Sequence, residues 1–271
     1  MYSRTGWLNL AAFILHLCVF VGVLIWILSS YNAESPGIPT SLFSLVPTGP
    51  MGSTIKIQQT APDAPWSIPV LILLFEAVTF FAHFVYFAFP NWYGGMLDKS
   101  NNWARWVEYA ISSSFMVAII ALSVGVRSFD TIITICVINC VVMLMGDLIE
   151  KQLAINTDPS RQSARVLTIL AWTLFFTVWY NLAASFTRIV ENSDSNVPAF
   201  VSAVFACMLL SYGSFGIVQA LQLGGGLTDY RKVESTYITL SFVAKIILSF
   251  LVVSGMIARP PQKKSTTQTT Q

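Results

Sequence analysis

Seven predominantly apolar runs, at roughly residues 7–29, 67–89, 102–124, 130–150, 164–187, 197–221 and 235–258, decide what this chain can fold into. The hydrocarbon core of a bilayer is about 30 Å thick and takes about 20 helical residues to cross, so each run is long enough. The runs are continuously apolar and do not alternate every second residue, which predicts helices rather than barrel strands. Only 10% of the 271 residues are charged and 55% are hydrophobic, against about 25% charged in soluble domains. The expected fold is an all-α membrane protein, a seven-transmembrane helix bundle over residues 1–258, multi-pass in the cell membrane.

Trp7, Trp66, Trp92 and Trp103 lie at or near run ends, where interfacial aromatics belong. The first run follows "MYSRTG" and has no small-residue cleavage site, so it reads as an uncleaved span. Cys18, Cys136, Cys140 and Cys207 all fall inside runs, which implies no disulfide framework. A net charge of +2 with dispersed basic residues gives no reason to expect nucleic acid.

Seven spans place the termini on opposite sides, and the lysines and arginines of alternate loops assign them. The N-terminal side holds eight (Arg4, Lys99, Arg105, Lys151, Arg161, Arg165, Arg231 and Lys232). The opposite loops hold Lys56, Arg127 and Arg188, and the C-terminal tail adds Arg259, Lys263 and Lys264. This predicts a cytoplasmic N-terminus and an external C-terminus. Within the long connection at 31–66, "TSLFSLV", "PTGPMG" and "STIKIQQT" read as strand, turn and strand, an external β-hairpin that packs on helix ends or on a second subunit. The polar tail at 259–271 reads as disordered. The "GGG" at 224–226 lacks the Gly-Lys-Ser/Thr ending of a phosphate loop and reads as a flexible turn.

Within the runs, few groups can carry charge: Glu76, Glu108, Asp147, Lys245, His16 and His83. Each is costly at bilayer depth and needs a partner or a function. At 1.5 Å per residue, Lys245 lies roughly 15 Å deep and Glu108 roughly 9 Å deep from the same side. His16 and His83 fall at a similar level, so four groups converge on one layer, whereas Asp147 lies within a turn of its helix end. Ser112 follows Glu108 by four residues and Ser241 precedes Lys245 by four, so each shares a helix face with its charged neighbour. Asn139 is a further polar residue inside a span.

Several chemistries suit this layer. Lys245 and Glu108 can pair simply to fix helix packing, although buried ion pairs give little net stability. A lone histidine in a span is commonly a packing residue. Two histidines and a carboxylate can bind zinc, yet these sit on three helices with no local motif, and no metal is expected. A mid-depth lysine facing a carboxylate also suits condensation with an aldehyde, because the resulting cationic imine needs a counterion. A long flat ligand needs aromatic walls, and Trp172, Trp179, Phe175, Phe176, Tyr180, Phe205, Tyr212 and Phe215 offer them; ordinary core packing accounts for most of these equally well.

The motifs "RWVEYAISSSF", with Glu108, and "LSFVAKIILS", with Ser241 and Lys245, together with His16, His83 and the long first external loop, give the chain a resemblance to the heliorhodopsins over all seven spans. The orientation assigned by charge agrees with that family's inverted topology. By resemblance, Lys245 carries retinal, all-trans in the dark, as a protonated Schiff base, Glu108 is the counterion and Ser241 hydrogen-bonds near the pair. The resemblance puts His16 and His83 in a polar cavity on the same side. It makes Ser112, Trp106, Tyr109, Asn139, Gly146, Trp179, Phe215 and Gln219 pocket or network positions, and it implies a homodimer.

The implied role is light sensing through an unknown cytoplasmic signalling partner, with no enzymatic activity. Along the Glu108 face the later positions are Ser112, Phe115 and Ile119, which supply no proton donor for a pump. A second reading is a light-gated proton channel. Glu76 lies two turns before His83, the line from Glu76 through His83 to Glu108 could carry protons, and Glu191 could mark its mouth. A retinal-free transporter that uses Lys245 and Glu108 as its site is a third, though the chain lacks the repeated halves common in transporters.

Overall fold

A computed structural model of the chain describes residues 4–30, 38–40, 43–48, 54–59, 64–192 and 199–257. Its helices are α1 (Arg4–Ser30), α2 (Ile68–Ala88), α3 (Pro90–Asp98), α4 (Trp103–Ser123), α5 (Phe129–Ile155), α6 (Asp158–Asn192), α7 (Ala199–Leu223) and α8 (Tyr230–Ile257). All but α3 are long and apolar enough to cross a membrane. The described helices therefore include the seven expected spans, several with longer ends. At α5 and α6 the helix continues into polar sequence, to Ile155 and from Asp158, which an apolar-run reading stops short of. The tail at 259–271 lies outside the described residues.

Local chemistry sets the boundaries. Pro90 ends α2, because the residue before a proline is pushed out of the helical region, and Phe89 sits at φ −118°, ψ 63°. That break creates α3, a short helix not foreseen from the apolar pattern. Asn102 caps α4 by accepting the Arg105 N–H, and Ser128 caps α5 by accepting that of Thr131. Gly125, in the α4–α5 turn, has φ +83°, and a Cβ there would stand 2.0 Å from Ile189 Cδ1. Only glycine meets both demands.

In the segment between α1 and α2, Phe43–Thr48 pairs antiparallel with Thr54–Gln59, Phe43 opposite Gln59 and Thr48 opposite Thr54. Ile38–Thr40 pairs with Ala64–Trp66 in the same sense. Of the expected turn "PTGPMG" at 47–52, Pro47 and Thr48 belong to the first strand and the rest lies outside the described residues.

The core sits around α4. Every residue from Met116 to Leu122 is buried, where they pack against Ile72 and Phe75 of α2, Ile132 and Ile135 of α5, Met208 of α7 and Leu248 of α8. The outer faces carry Leu28, Phe81, Tyr180, Leu210 and Phe250, each more than half exposed. Such a surface is a liability in water and the expected one in lipid, where burial of apolar area between helix and solvent is no longer what separates inside from outside.

Candidate functional site

Three helices bring polar side chains into the interior of this apolar bundle. On α8, Glu234, Tyr237, Ser241, Lys245 and Ser249 recur every three or four residues and all are buried. Arg105, Glu108 and Ser112 do the same on α4, and Glu76, Thr79 and His83 on α2. That spacing stacks each set on one helix face.

Lys245 Nζ donates to Glu108 Oε1 at 2.6 Å, the side chains 3% and 5% exposed. The expected ion pair is therefore present and dry. Thr79 Oγ1 stands 3.0 Å from the same carboxylate oxygen and 2.8 Å from the Phe75 carbonyl oxygen, which locks Glu108 against α2. The ammonium also lies 5.4 Å from the centre of the Tyr109 ring.

Beside Lys245, a cavity of about 30 Å³ is lined by Ser112, Ser241, Tyr109, Met143, Tyr212 and Phe215, among others. Ser112 Oγ is buried with no hydrogen-bond partner. A second cavity of about 40 Å³, lined by Trp106, Trp172, Phe175, Gly216 and Gln219, shares Met143, Tyr212 and Phe215 with the first. Those three shared residues make the two cavities neighbours. Two glycines let indole rings pack close against backbone beside the second cavity: a Cβ on Gly146 would fall 2.3 Å from Trp106, and one on Gly216 2.6 Å from Trp172. Asn139 Nδ2 donates to Ser113 Oγ at 2.7 Å, and Gln219 Nε2 donates to the Gly146 carbonyl at 3.1 Å. Trp179 packs edge-on to Tyr212 with ring centres 5.8 Å apart, one residue removed from the cavities.

The two histidines meet as expected from their level, but with different partners. His16 Nδ1 is 2.6 Å from Glu76 Oε2, and Ser249 Oγ donates to Glu76 Oε1 at 2.7 Å. His83 Nδ1 is 2.7 Å from Asn9 Oδ1. The imidazole rings stack with centres 6.0 Å apart and planes 2° off parallel, and both Nε2 atoms are buried without a partner. Glu76 thus contacts His16 rather than His83, and Glu191 is exposed near the end of α6, away from this set. Asp147 is 15% exposed, 2.5 Å from Lys151 Nζ, and accepts from Asn101.

A larger polar cluster was not foreseen. Arg105 makes ion pairs with both Glu150 and Glu234, all three buried. Trp106 Nε1 and Tyr230 Oη donate to Glu150 Oε2 at 2.9 and 2.8 Å. Tyr93 Oη and Asn102 Nδ2 donate to Glu234 Oε1, each at 2.8 Å. The guanidinium lies 4.2 Å from the centre of the Tyr237 ring, and Tyr109 Oη donates to the Tyr237 carbonyl at 3.0 Å. Two tyrosines therefore separate this cluster from the Lys245–Glu108 pair. Hydropathy groups Arg105 with the loop charges, although it stands three residues before Glu108, and Glu234 three before Tyr237, positions that the helical spacing alone places on the inward faces.

The fold has solved relatives. It resembles a cyanorhodopsin from the cyanobacterium Calothrix (TM-score 0.65, 10% identity, 94% of this chain and 95% of that one). A light-driven proton pump from Leptosphaeria maculans matches equally well (TM-score 0.65, 12% identity, 95% and 98%). So does a thermophilic rhodopsin from Rubrobacter xylanophilus (TM-score 0.64, 12% identity, 93% and 95%). At such identities these likenesses speak for the rhodopsin fold alone. Comparison with curated protein sequences found no match. The sequence profile of the heliorhodopsins, by contrast, matches residues 6–257, nearly the full length, and the chain belongs to the heliorhodopsin family.

Proposed function

We propose that this chain is a retinal-binding light sensor in which Lys245 carries the chromophore and Glu108 is its counterion. The observation that carries the reading is the dry 2.6 Å contact between the two beside aromatic-walled cavities. The residues present suit the ligand: a primary amine with a carboxylate partner, an unpartnered hydroxyl on Ser112, and two neighbouring cavities with three shared walls, which a polyene would have to join into one slot. When bound through Lys245, retinal supplies a polyene that light isomerises about a double bond. Glu108 places a negative charge at the lysine nitrogen, and Thr79 fixes the orientation of that carboxylate. Ser112 and Ser241 offer hydroxyls to the same nitrogen and its proton. Tyr212, Phe215 and Trp172 keep water from the slot. A shift of charge or proton at Lys245 biases the hydrogen bonds of Glu108 and Thr79, and through them the packing of α2 against α4.

Sensing is favoured over pumping by what lies beyond the pair. On α4 the Glu108 face continues into Ser112 and then seven consecutive buried apolar residues from Met116 to Leu122, with no carboxylate. We place the N-terminus in the cytoplasm, with the paired strands between α1 and α2 external, where they form a contact of a homodimer in the cell membrane. A cytoplasmic partner reads the conformational state.

The test is colour. Purified protein incubated with all-trans retinal should develop a visible absorption band, and Lys245→Ala should not. A wild type that stays colourless, or a variant that keeps the band, refutes the assignment.

One observation favours a second reading, a light-gated proton conductance. The buried contact of Glu76 with His16 and Ser249 extends polar groups beyond the pair, so Glu76→Gln should abolish any stationary photocurrent. Absence of current in retinal-supplied cells leaves the sensor.

A further inference from the structure

The first turns of α1 and α8 leave a groove of about 570 Å³ between them. Three cations line it, Arg4, Arg231 and Lys232, with one acid, Asp229, and its apolar walls include Leu8 and Leu240. We propose that this groove binds the phosphate of an anionic membrane lipid. The seat is independent of the retinal reading, as it shares no residue with the Lys245 site.

The charges there are available. Asp229 is engaged in capping α8, its Oδ1 accepting the Arg231 N–H at 3.0 Å and that of Lys232 at 3.4 Å. The Lys232 ammonium is 3.9 Å from the other Asp229 oxygen, and its side chain is 78% exposed. Arg231 gives one nitrogen to Asp98 at 2.7 Å, and a guanidinium has further N–H donors to spare. Arg4 forms no ion pair among the described residues. A phosphate thus meets a net positive site, and arginine and lysine stems can bury along apolar surface while their heads reach it.

Position decides for a lipid over a free anion. Both helices enter the membrane from this end, so the groove opens sideways onto one leaflet, where basic pockets between helix ends take headgroups. Leu15 follows Leu8 by two turns on α1, and Val243 and Phe250 follow on α8, all three exposed. They give an acyl chain a track that inorganic phosphate has no use for. A zwitterionic headgroup brings its own cation and gains little from the three basic side chains.

The test uses full-length protein in detergent, titrated with phosphatidylglycerol or phosphatidylcholine and read by native mass spectrometry. Phosphatidylglycerol should bind more tightly, and the preference should shrink as ionic strength rises; equal binding, or salt-insensitive binding, overturns the proposal without any mutation. Arg4→Ala/Lys232→Ala should weaken phosphatidylglycerol about thirty-fold, as each surface cation is worth about five-fold. Lys151→Ala/Arg165→Ala, which removes two cations of the same charge-assigned side outside the groove, should leave it nearly unchanged. The charge-keeping Arg4→Lys/Lys232→Arg should bind as wild type. A loss as large in the outside pair, or loss in the charge-keeping pair, refutes the site. If inorganic phosphate at matched concentration displaces the lipid completely, the groove is a free-anion site and the lipid assignment falls.

Discussion

Replacing Arg105 by methionine tests whether the buried cluster on α4, α5 and α8 holds those helices together by charge. The guanidinium is 2% exposed and is shared by Glu150 and Glu234. Removing one member of a buried pair costs about 3–5 kcal/mol, because the partner is left charged and dry. Here two carboxylates are stranded, but each keeps two neutral donors: Trp106 and Tyr230 on Glu150, Tyr93 and Asn102 on Glu234. Those four hydrogen bonds put the expected loss at the lower end, about 3 kcal/mol. For a chain of this length that is on the order of 10 °C in Tm, read by tryptophan fluorescence during heating in detergent. The decisive comparison is Arg105→Met/Glu150→Gln/Glu234→Gln, which removes the stranded charges while keeping shape and acceptors. It should recover most of the loss, since buried ionic clusters are often no more stabilising than neutral replacements. A single variant that melts within about 2 °C of wild type, or a triple variant no better than the single, refutes the electrostatic reading.

Gly146→Ala should lower Tm, because its Cβ would meet the Trp106 ring at 2.3 Å and overpacking of this kind costs about 1–3 kcal/mol; the retinal absorption band should move with the indole. Lys151→Ala should change stability by less than about 1 kcal/mol, as its pair with Asp147 is half in solvent. At alkaline pH, Tyr93 should matter. Burial and the neighbouring Glu234 hold its phenol well above the ordinary tyrosine value. The native state therefore keeps a proton that the unfolded chain releases, and its contribution is full below about pH 10 and declines above it. Tyr93→Phe should flatten the alkaline fall in Tm; an unchanged slope refutes it.

The sequence made the bundle legible because length and continuous apolarity are local properties, and seven spans follow from them directly. The Lys245–Glu108 pair was legible for a related reason: isolated charges in apolar runs have few places to go, and equal depth brings them together. Partner choice among the remaining groups was not. Glu76 is two turns from His83 on its own helix, yet it bonds to His16 on α1 and Ser249 on α8, because interhelical rotation, which no single-helix spacing encodes, decides which faces meet. The Arg105 cluster escaped because its members lie near run ends, where hydropathy reads them as wet. α5 and α8 continue past those ends, and Tyr93 of α3 and Tyr230 at the start of α8 close over the two carboxylates. α3 itself arises from one proline in a stretch too short to register as a span.

The parallel histidines carry a consequence of their own. With ring centres 6.0 Å apart, two imidazolium cations would repel by about 3 kcal/mol even at an effective dielectric near 20. The two ends of the stack are also unlike, a carboxylate, Glu76, backing the ring on α1 and a neutral amide, Asn9, the ring on α2, so a positive charge arriving at this layer finds an oppositely charged neighbour on one side only.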